Sequence, residues 1–183
     1  MDKRVSFSGE DLELAEIAET YEITFRSLVN YRESLTDNSN TRSSYFPEQL
    51  VGYSRDEFVT YFQSQIEELG RTMCLNLIAA TEAKLRKDFL QRVYNRKRDN
   101  NSRALRTVYK NKGRYASLEA DILDTWKNLE PSARDVIGEY KSVLQMRHWL
   151  AHGRYWVAKL GRKYDFFSVY AICENLQSNL PLF

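Results

Sequence analysis

Glycine and proline are scarce in this chain, at seven and three among 183 residues. Because the many turns of a β fold draw on these two residues, their scarcity favours long helices, and no segment carries a convincing strand pattern. No apolar run approaches the roughly 18 residues that a membrane-spanning helix needs. Residues 1–6 are polar and lack the apolar core of a secretory signal. We therefore expect an all-α, cytoplasmic protein with no membrane segment.

Cysteine and histidine are scarce as well, with two of each. Cys74 and Cys173 lie far apart in apolar patterns, so we expect buried thiols of a reducing compartment, although the pattern leaves one disulfide open. His148 and His152 have the spacing of four found in helical zinc sites. However, Trp149 stands where the metalloprotease motif has glutamate, and there is no third histidine. The sequence therefore predicts no metal site and no cofactor.

Charge is distributed unevenly along what we take to be a single domain, residues 1–183. The formal net charge is +2, but residues 84–114 carry +10, so the rest of the chain carries −8. One basic face on an otherwise acidic molecule is a common footprint of nucleic-acid binding. A solvated helix end and loop would have the same composition, so charge alone leaves both interpretations open.

Steps of three and four between apolar residues predict the helices. A capping box at residues 8–11 is expected to open a helix over residues 9–35, and a second box at residues 54–57 opens the longest helix, which runs to about residue 96. Three further helices are predicted over residues 118–129, 131–152 and 166–176. Gly153 is a natural C-terminal cap. Together these elements predict an up-and-down bundle of four to five helices with a long second helix.

Three segments lie outside these helices. Residues 36–44 are predicted to be a polar loop, and residues 45–52 an irregular segment whose aromatic and apolar side chains pack on the surface. Residues 97–115 form a basic insert. We expect this insert to be a mobile loop with a short helix around residues 104–109.

Two charged residues interrupt the apolar stripes of the predicted helices. Arg147 lies in line with residues of the fourth helix that face the core or an interface, and Glu82 occupies the corresponding kind of position on the second. A guanidinium withdrawn from water needs a carboxylate or several other acceptors, so an Arg147–Glu82 pair would explain both positions. Alternatively, each side chain could extend to the surface along its own aliphatic stem.

Residues 146–156 contain both histidines and two of the three tryptophans. On a regular helix Arg147 and His152 diverge by about 140°, because they are five residues apart. One copy of the chain would not easily direct both at one substrate atom. Two copies of the helix, antiparallel across a two-fold axis, could bring two arginines and two histidines into one composite cleft. For a lone histidine at a helix end, a capping role is the simpler interpretation.

Arg147, four intervening residues and His152, near the end of the fourth helix of a small all-α domain, resemble the hallmark of the HEPN superfamily. Residues 147–156 and the following residues 159–166 are similar to the branch of HEPN domains found in bacterial defence and toxin-type loci. The resemblance covers most of the chain, but not the basic insert or residues 36–53. It implies a four- or five-helix bundle that forms a homodimer through the motif helix.

The resemblance also implies a metal-independent endoribonuclease that acts as a toxin or defence effector, with RNA as its substrate and an antitoxin or defence protein as a further partner. In that chemistry the RNA 2′-hydroxyl attacks the adjacent phosphate and leaves a 2′,3′-cyclic phosphate. His152 would be the general base or acid, and Arg147 would stabilise charge on the phosphorane. His148 stands where the family often has asparagine, so its role stays open. The supporting residues expected around this pair are His148, Glu82, Arg154 and Tyr155.

RNA is also indicated independently, because its 2′-hydroxyl supplies the nucleophile and an Arg/His site then needs no added metal. The basic segment could hold a single-stranded backbone while interleaved tyrosines stack on bases. The predicted RNA contacts are the cations Arg92, Arg96, Lys97, Arg98, Arg103, Arg106, Lys110, Lys112 and Arg114. Two other classes stay open: a non-catalytic HEPN module that dimerises and binds RNA or a protein partner, and a helical interaction domain with no RNA role.

Overall fold

The computed structural model describes residues 4–36 and 46–183, and within these ranges all regular structure is helical. The α-helices are α1 (Leu14–Thr36), α2 (Arg55–Tyr94), α3 (Asn100–Lys112), α4 (Asp124–Leu129), α5 (Arg134–Ala151) and α6 (Phe166–Asn179). Short 3-10 turns cover Glu48–Leu50, Gly113–Tyr115 and Pro131–Ala133. The all-α prediction is confirmed, with six α-helices in the described ranges where four to five were expected. Most of the predicted polar loop at residues 36–44 lies outside the described residues.

The long helix α2 is the centre of the fold, because α1, α3, α5 and α6 all pack against it. Its 40 residues span about 60 Å at 1.5 Å per residue. The predicted capping box is confirmed: the Ser54 hydroxyl accepts from the backbone N–H of Glu57, and the Glu57 carboxylate accepts from the backbone N–H of Ser54 at 2.8 Å. None of the helices in the described ranges combines the length and apolar character needed to cross a bilayer.

The helix α1 begins at Leu14, so the prediction of a start at residue 9 is wrong. The side chains of the expected capping box have other partners. Ser8 accepts from the backbone N–H of Glu10, and the Asp11 carboxylate binds Lys87 on α2. Residues 4–13 instead lie along α2, because tertiary contacts with that helix replace a local cap.

The basic insert at residues 97–115 is mostly helical, contrary to the prediction of a loop with one short helix. Asp99 caps α3, since its carboxylate accepts from the backbone N–H of Ser102 at 2.9 Å. Leu105 is fully buried, and the ring of Tyr109 lies 6.2 Å from that of Tyr94 at the end of α2. The insert therefore folds back against the central helix.

The predicted helix over residues 118–129 has two parts. Leu118–Leu123 is π-helical, with the backbone N–H of Ile122 bonded to the carbonyl of Ser117 at 3.0 Å, and α4 continues from it. Such segments are rare and often lie at functional sites. The last two predicted helices are confirmed as α5 and α6. In the irregular segment before α2, Leu50 is buried as expected, but Phe46 and Val51 are 47% and 68% exposed, so the prediction that the apolar side chains pack down is wrong for these two; Tyr45 lies outside the described residues.

Arg92 lies in the protein interior and has 3% of its surface exposed. Its Nε donates to both oxygens of Asp88 at 2.9 Å, and its Nη1 donates to Ser102 at 3.2 Å and to Asp99 at 3.3 Å. The guanidinium lies 4.2 Å from the ring centroid of Phe183. This buried network joins α2 to the start of α3 and to residues 181–183, which pack beside it.

Cys74 on α2 and Cys173 on α6 are free and buried in the core. Burial raises the pKa of Cys74 to about 12 and that of Cys173 to about 11. Because the thiolate is the reactive form, we expect neither residue to react with a disulfide reagent in the native protein at neutral pH, and both to react in denaturant. Titration with such a reagent measures this. Stoichiometric labelling of the native protein within minutes would contradict the burial.

Candidate functional site

A cleft of about 900 Å³ lies between α2, residues 113–119, α5 and residues 156–160. Its cationic lining residues outnumber its carboxylates; the former are Arg86, Arg114, Arg147 and Lys159, and the latter are Glu82 and Glu119. The aromatic residues Tyr115, Trp149 and Trp156 also line it, together with His148. A concave site with aromatic walls and an excess of positive charge suits an anionic ligand that has rings.

The predicted pair between Arg147 and Glu82 is confirmed on the wall of this cleft. Glu82 Oε2 lies 3.4 Å from Nη2 of Arg147, and Glu82 Oε1 accepts from Nε of Arg86 at 2.9 Å. The Glu82 side chain is 18% exposed and that of Arg147 is 40% exposed. Within the described ranges Glu82 is the sole ion-pair partner of Arg147. Glu82 is thus the counter-ion of both Arg147 and Arg86, and the Arg147 side chain lines the cleft.

The end of α5 is fixed by the predicted glycine cap. Gly153 adopts a left-handed backbone with φ 79°, and its N–H bonds to the carbonyl of Leu150 at 3.4 Å. The N–H of Arg154 bonds to the carbonyl of Trp149 at 3.1 Å, which completes a Schellman motif. His152, the cap residue just before this turn, is therefore held in a defined position by the backbone.

Two side chains fasten the segment after the cap. Arg154 binds Glu68 on α2 through both carboxylate oxygens, at 2.5 and 2.8 Å, and Nε1 of Trp149 donates to the carbonyl of Trp156 at 2.8 Å. The hydrogen bonds from Arg154 hold the pKa of the Glu68 carboxyl below its ordinary value. Arg154 therefore supports the end of the motif helix from outside the cleft, as a structural tie to α2.

This tie should depend on pH. Because the pKa of Glu68 is lowered in the folded state, its contribution to stability is present above about pH 4.5 and is lost as the pH falls through the lowered value. We expect Glu68→Gln to lower the free energy of unfolding at pH 7 by less than about 1 kcal/mol, since the pair is half exposed, and to have a smaller effect at pH 3. Thermal unfolding at both values measures this, with Glu67→Gln, which spares Arg154, as the control. An equal loss at pH 3 would contradict the linkage.

The two histidines lie next to each other at the helix end. Their ring centroids are 4.3 Å apart, and the ring of His148 is 5.7 Å from that of Trp156. Arg147 and His148 line the cleft, whereas His152 is not part of its lining. Within one chain, the ring of His148 thus contacts that of His152, and Arg147 forms an ion pair with Glu82. Arg147 and His152 do not line the same cleft of a single chain. No group of three potential metal ligands occurs in the described part of the chain.

The predicted RNA-contact residues separate into several environments. The prediction that Arg92 contacts RNA at the surface is wrong, because Arg92 is buried in the hydrogen-bond network with Asp88. Arg114 lines the cleft, and Lys97 lies over the ring of Phe183. Arg103 and Lys112 are exposed on α3. The remaining four, Arg96, Arg98, Arg106 and Lys110, line a second pocket at the end of α2.

Sequence reasoning missed two cations of the cleft. Arg86 lies one helical turn after Glu82, and this i, i+4 spacing was a signal that could have identified it. Lys159 lies in an irregular segment without periodicity, so nothing in the sequence indicated which way it faces.

Tyr155, a predicted supporting residue, is 84% exposed and stacks edge-on against Trp156. It lies on the outer surface beside the histidine pair, where a second molecule could reach it.

Comparisons of this chain with protein-family models, with curated proteins and with solved structures found no match.

Proposed function

We propose that this protein is a metal-independent endoribonuclease of the toxin or defence type, with Arg147 and His152 as its catalytic residues. The observation that carries the proposal is the arrangement at the end of α5. There, an arginine held by Glu82 faces a large basic cleft, and a pair of adjacent histidines lies at the rim. These are the groups that cleavage by the RNA 2′-hydroxyl requires, and neither a metal nor a cofactor has to supply the nucleophile.

Arg147 acts on the scissile phosphate. The guanidinium is a planar donor that matches phosphate oxygens, and negative charge accumulates on those oxygens as the phosphorane forms. Glu82 lies beside Arg147 as its counter-ion and favours a guanidinium that is already on the wall of the cleft before the substrate binds. The side-chain exposure of 40% leaves the phosphate access to Arg147 from the cleft.

The histidines move the protons. A neutral imidazole takes the proton of the 2′-hydroxyl as the 2′-oxygen attacks phosphorus, and the bond to the 5′-oxygen breaks. A protonated imidazole gives that leaving oxygen its proton, so the products are a 2′,3′-cyclic phosphate and a 5′-hydroxyl. His152 serves one of these steps. The other is served either by His148, whose ring is 4.3 Å away, or by His152 of a second copy.

A second copy completes the site in this proposal. Within one chain Arg147 lies in the cleft and His152 does not, so a two-fold related α5 would bring the missing histidine to each arginine. Tyr155 and Val157, 84% and 88% exposed, provide apolar surface beside the histidines for such a contact.

The test is cleavage in the absence of metal. Purified protein is incubated with single-stranded and structured RNA in EDTA, and sedimentation is measured at micromolar concentration. We expect cleavage by a dimer, and loss of cleavage in both Arg147→Ala and His152→Ala. Intact RNA with a salt-dependent mobility shift would instead indicate the non-catalytic RNA-binding module. Neither cleavage nor a shift would indicate a helical interaction domain, and a monomer that cleaves would contradict the composite site.

A further inference from the structure

The second pocket, of about 680 Å³, lies at the far end of α2 from the capping box. Five cationic side chains line it: Arg4, Arg96, Arg98, Arg106 and Lys110. The other lining residues that the structure describes are Val93, Tyr94 and Tyr109, so none of the described lining residues is a carboxylate. These residues come from three separate parts of the chain, because the segment before α1, the end of α2 with the turn after it, and α3 all contribute.

The five cations of this pocket have no carboxylate partner in the described part of the chain. Within residues 4–36 and 46–183, none of them has a carboxylate within the 4.0 Å of an ion pair, whereas Lys84, Lys87 and Arg86 on the preceding turns of α2 each have one. Like charges that converge without a partner repel one another. Such convergence is expected where an anionic ligand supplies the opposite charge.

Backbone contacts hold part of the pocket in place before any ligand binds. Arg106 donates to the carbonyl of Lys97, and Nη2 of Arg4 donates to the carbonyl of Tyr94 at 3.5 Å. Arg96 adopts a left-handed backbone with φ 48°, which is uncommon for a residue other than glycine. Tyr94 and Tyr109, with rings 6.2 Å apart, form an aromatic wall.

The pocket and the cleft are both lined by residues of α2 and of the segment that follows it, residues 96–119. Lys110 of the pocket lies in the last turn of α3, four residues before Arg114, which lines the cleft. On α2, Tyr94 of the pocket is eight residues, about 12 Å, after Arg86 of the cleft. The chain returns along α2, since Tyr109 lies beside Tyr94 and Arg86 donates to the carbonyl of Ala116 at 3.2 Å, so both sites draw cations from this α2–α3 region.

We propose that the second pocket binds the phosphate backbone of a single-stranded RNA whose scissile bond lies in the cleft. This rests on the proposed function for the identity of the polymer. Cations without a carboxylate among the described lining residues bind phosphates, and the tyrosines stack on bases. The separation of about 12 Å along α2 between Tyr94 and Arg86 is one that a single strand of a few nucleotides spans. A strand that reaches both sites binds more tightly than one that occupies the cleft alone, because the second contact is intramolecular.

The experiment measures binding without turnover. A fluorescent single strand with 2′-deoxy residues throughout cannot be cleaved by 2′-hydroxyl attack, and its anisotropy gives affinity for lengths from two to twenty nucleotides at several salt concentrations. The variant is Arg98→Ala/Lys110→Ala, whose two side chains are exposed. The matched control is Arg26→Ala/Arg55→Ala, which removes the same charge from α1 and the start of α2, and thermal unfolding verifies the fold of both.

For the wild type and the control we expect affinity to rise with strand length. The Arg98→Ala/Lys110→Ala protein should bind the longest strand about tenfold more weakly at 0.1 M salt, and its slope of log K against log salt should be shallower by about 1.4, at about 0.7 for each lost phosphate contact. Equal affinity and slope in variant and control would overturn the inference. So would displacement of the long strand by an equimolar amount of inorganic tripolyphosphate, since the pocket would then take a small polyanion.

Failure of this inference and failure of the proposed function are distinguishable. If the wild-type protein cleaves RNA but both double variants bind long strands equally well, the proposed nuclease function stands and the strand-binding role of the second pocket is wrong. If affinity depends on strand length and salt as expected but the protein never cleaves RNA, the two sites bind one strand and the proposed nuclease function is wrong.

Discussion

Arg147→Ala is expected to lower kcat for RNA cleavage about 100- to 1000-fold, and His152→Ala about 100- to 10,000-fold. The first figure is typical for removal of one preorganised donor to a developing oxyanion, and the second is typical for loss of a general acid or base. Because both residues act in one transition state, the double variant should be little slower than the slower single variant. Single-turnover cleavage of a labelled RNA in EDTA measures all three.

Arg134→Ala is the matched control, since Arg134 is an exposed arginine at the opposite end of the same helix. It should cleave at the wild-type rate. Arg147→Lys should recover little of the loss, because an ammonium cannot reproduce the fork of a guanidinium. If either alanine variant cleaves at the wild-type rate, with unchanged sedimentation and circular dichroism, the residue replaced in that variant takes no part in the reaction.

Asp88→Ala is expected to destabilise the fold by about 3–5 kcal/mol, because it leaves the Arg92 guanidinium buried without its principal partner. For a protein of this size that corresponds to a fall in Tm of roughly 6–20 °C. Burial raises the pKa of the Asp88 carboxyl despite the opposing bonds from Arg92. The pair is therefore costly to bury, and replacing both residues by apolar ones of similar volume should be less damaging than removing one.

The comparison is Glu22→Ala, which removes the exposed partner of Arg26 on α1 and should change stability by less than about 1 kcal/mol. Denaturant unfolding gives both values. If Asp88→Ala lowers the free energy of unfolding by no more than Glu22→Ala does, Arg92 is not buried beside Asp88. Arg92 would then again be a candidate RNA contact.

The helices and the Arg147–Glu82 pair could be predicted because their signals are local. Apolar steps of three and four identify α2 and α5, and a charged residue on such a stripe must find a partner. Glycine at position 153 indicated the end of α5, because only glycine adopts a left-handed backbone freely. The predicted start of α1 was wrong for the opposite reason, since contacts with α2, which are not local in sequence, determine where that helix begins.

The basic segment could not be resolved from composition. Arg92 and Arg96 are alike in sequence, yet one is 3% exposed and the other lines a pocket. The difference arises from Asp88, Asp99 and residues 181–183, which surround Arg92 after α3 has folded back along α2. Only that tertiary packing distinguishes a buried structural cation from one available to an anionic ligand.

The most direct test of the central claim is the chemistry of the cut ends. RNA cleaved by the wild-type protein in EDTA is analysed by mass spectrometry, beside an identical strand with a single 2′-deoxy residue at the cleavage position. The expected result is a 2′,3′-cyclic phosphate opposite a 5′-hydroxyl, and no cut at the 2′-deoxy position. Cleavage of the substituted strand, ends that carry a 5′-phosphate, or dependence on an added metal would contradict catalysis by Arg147 and His152 through the 2′-hydroxyl.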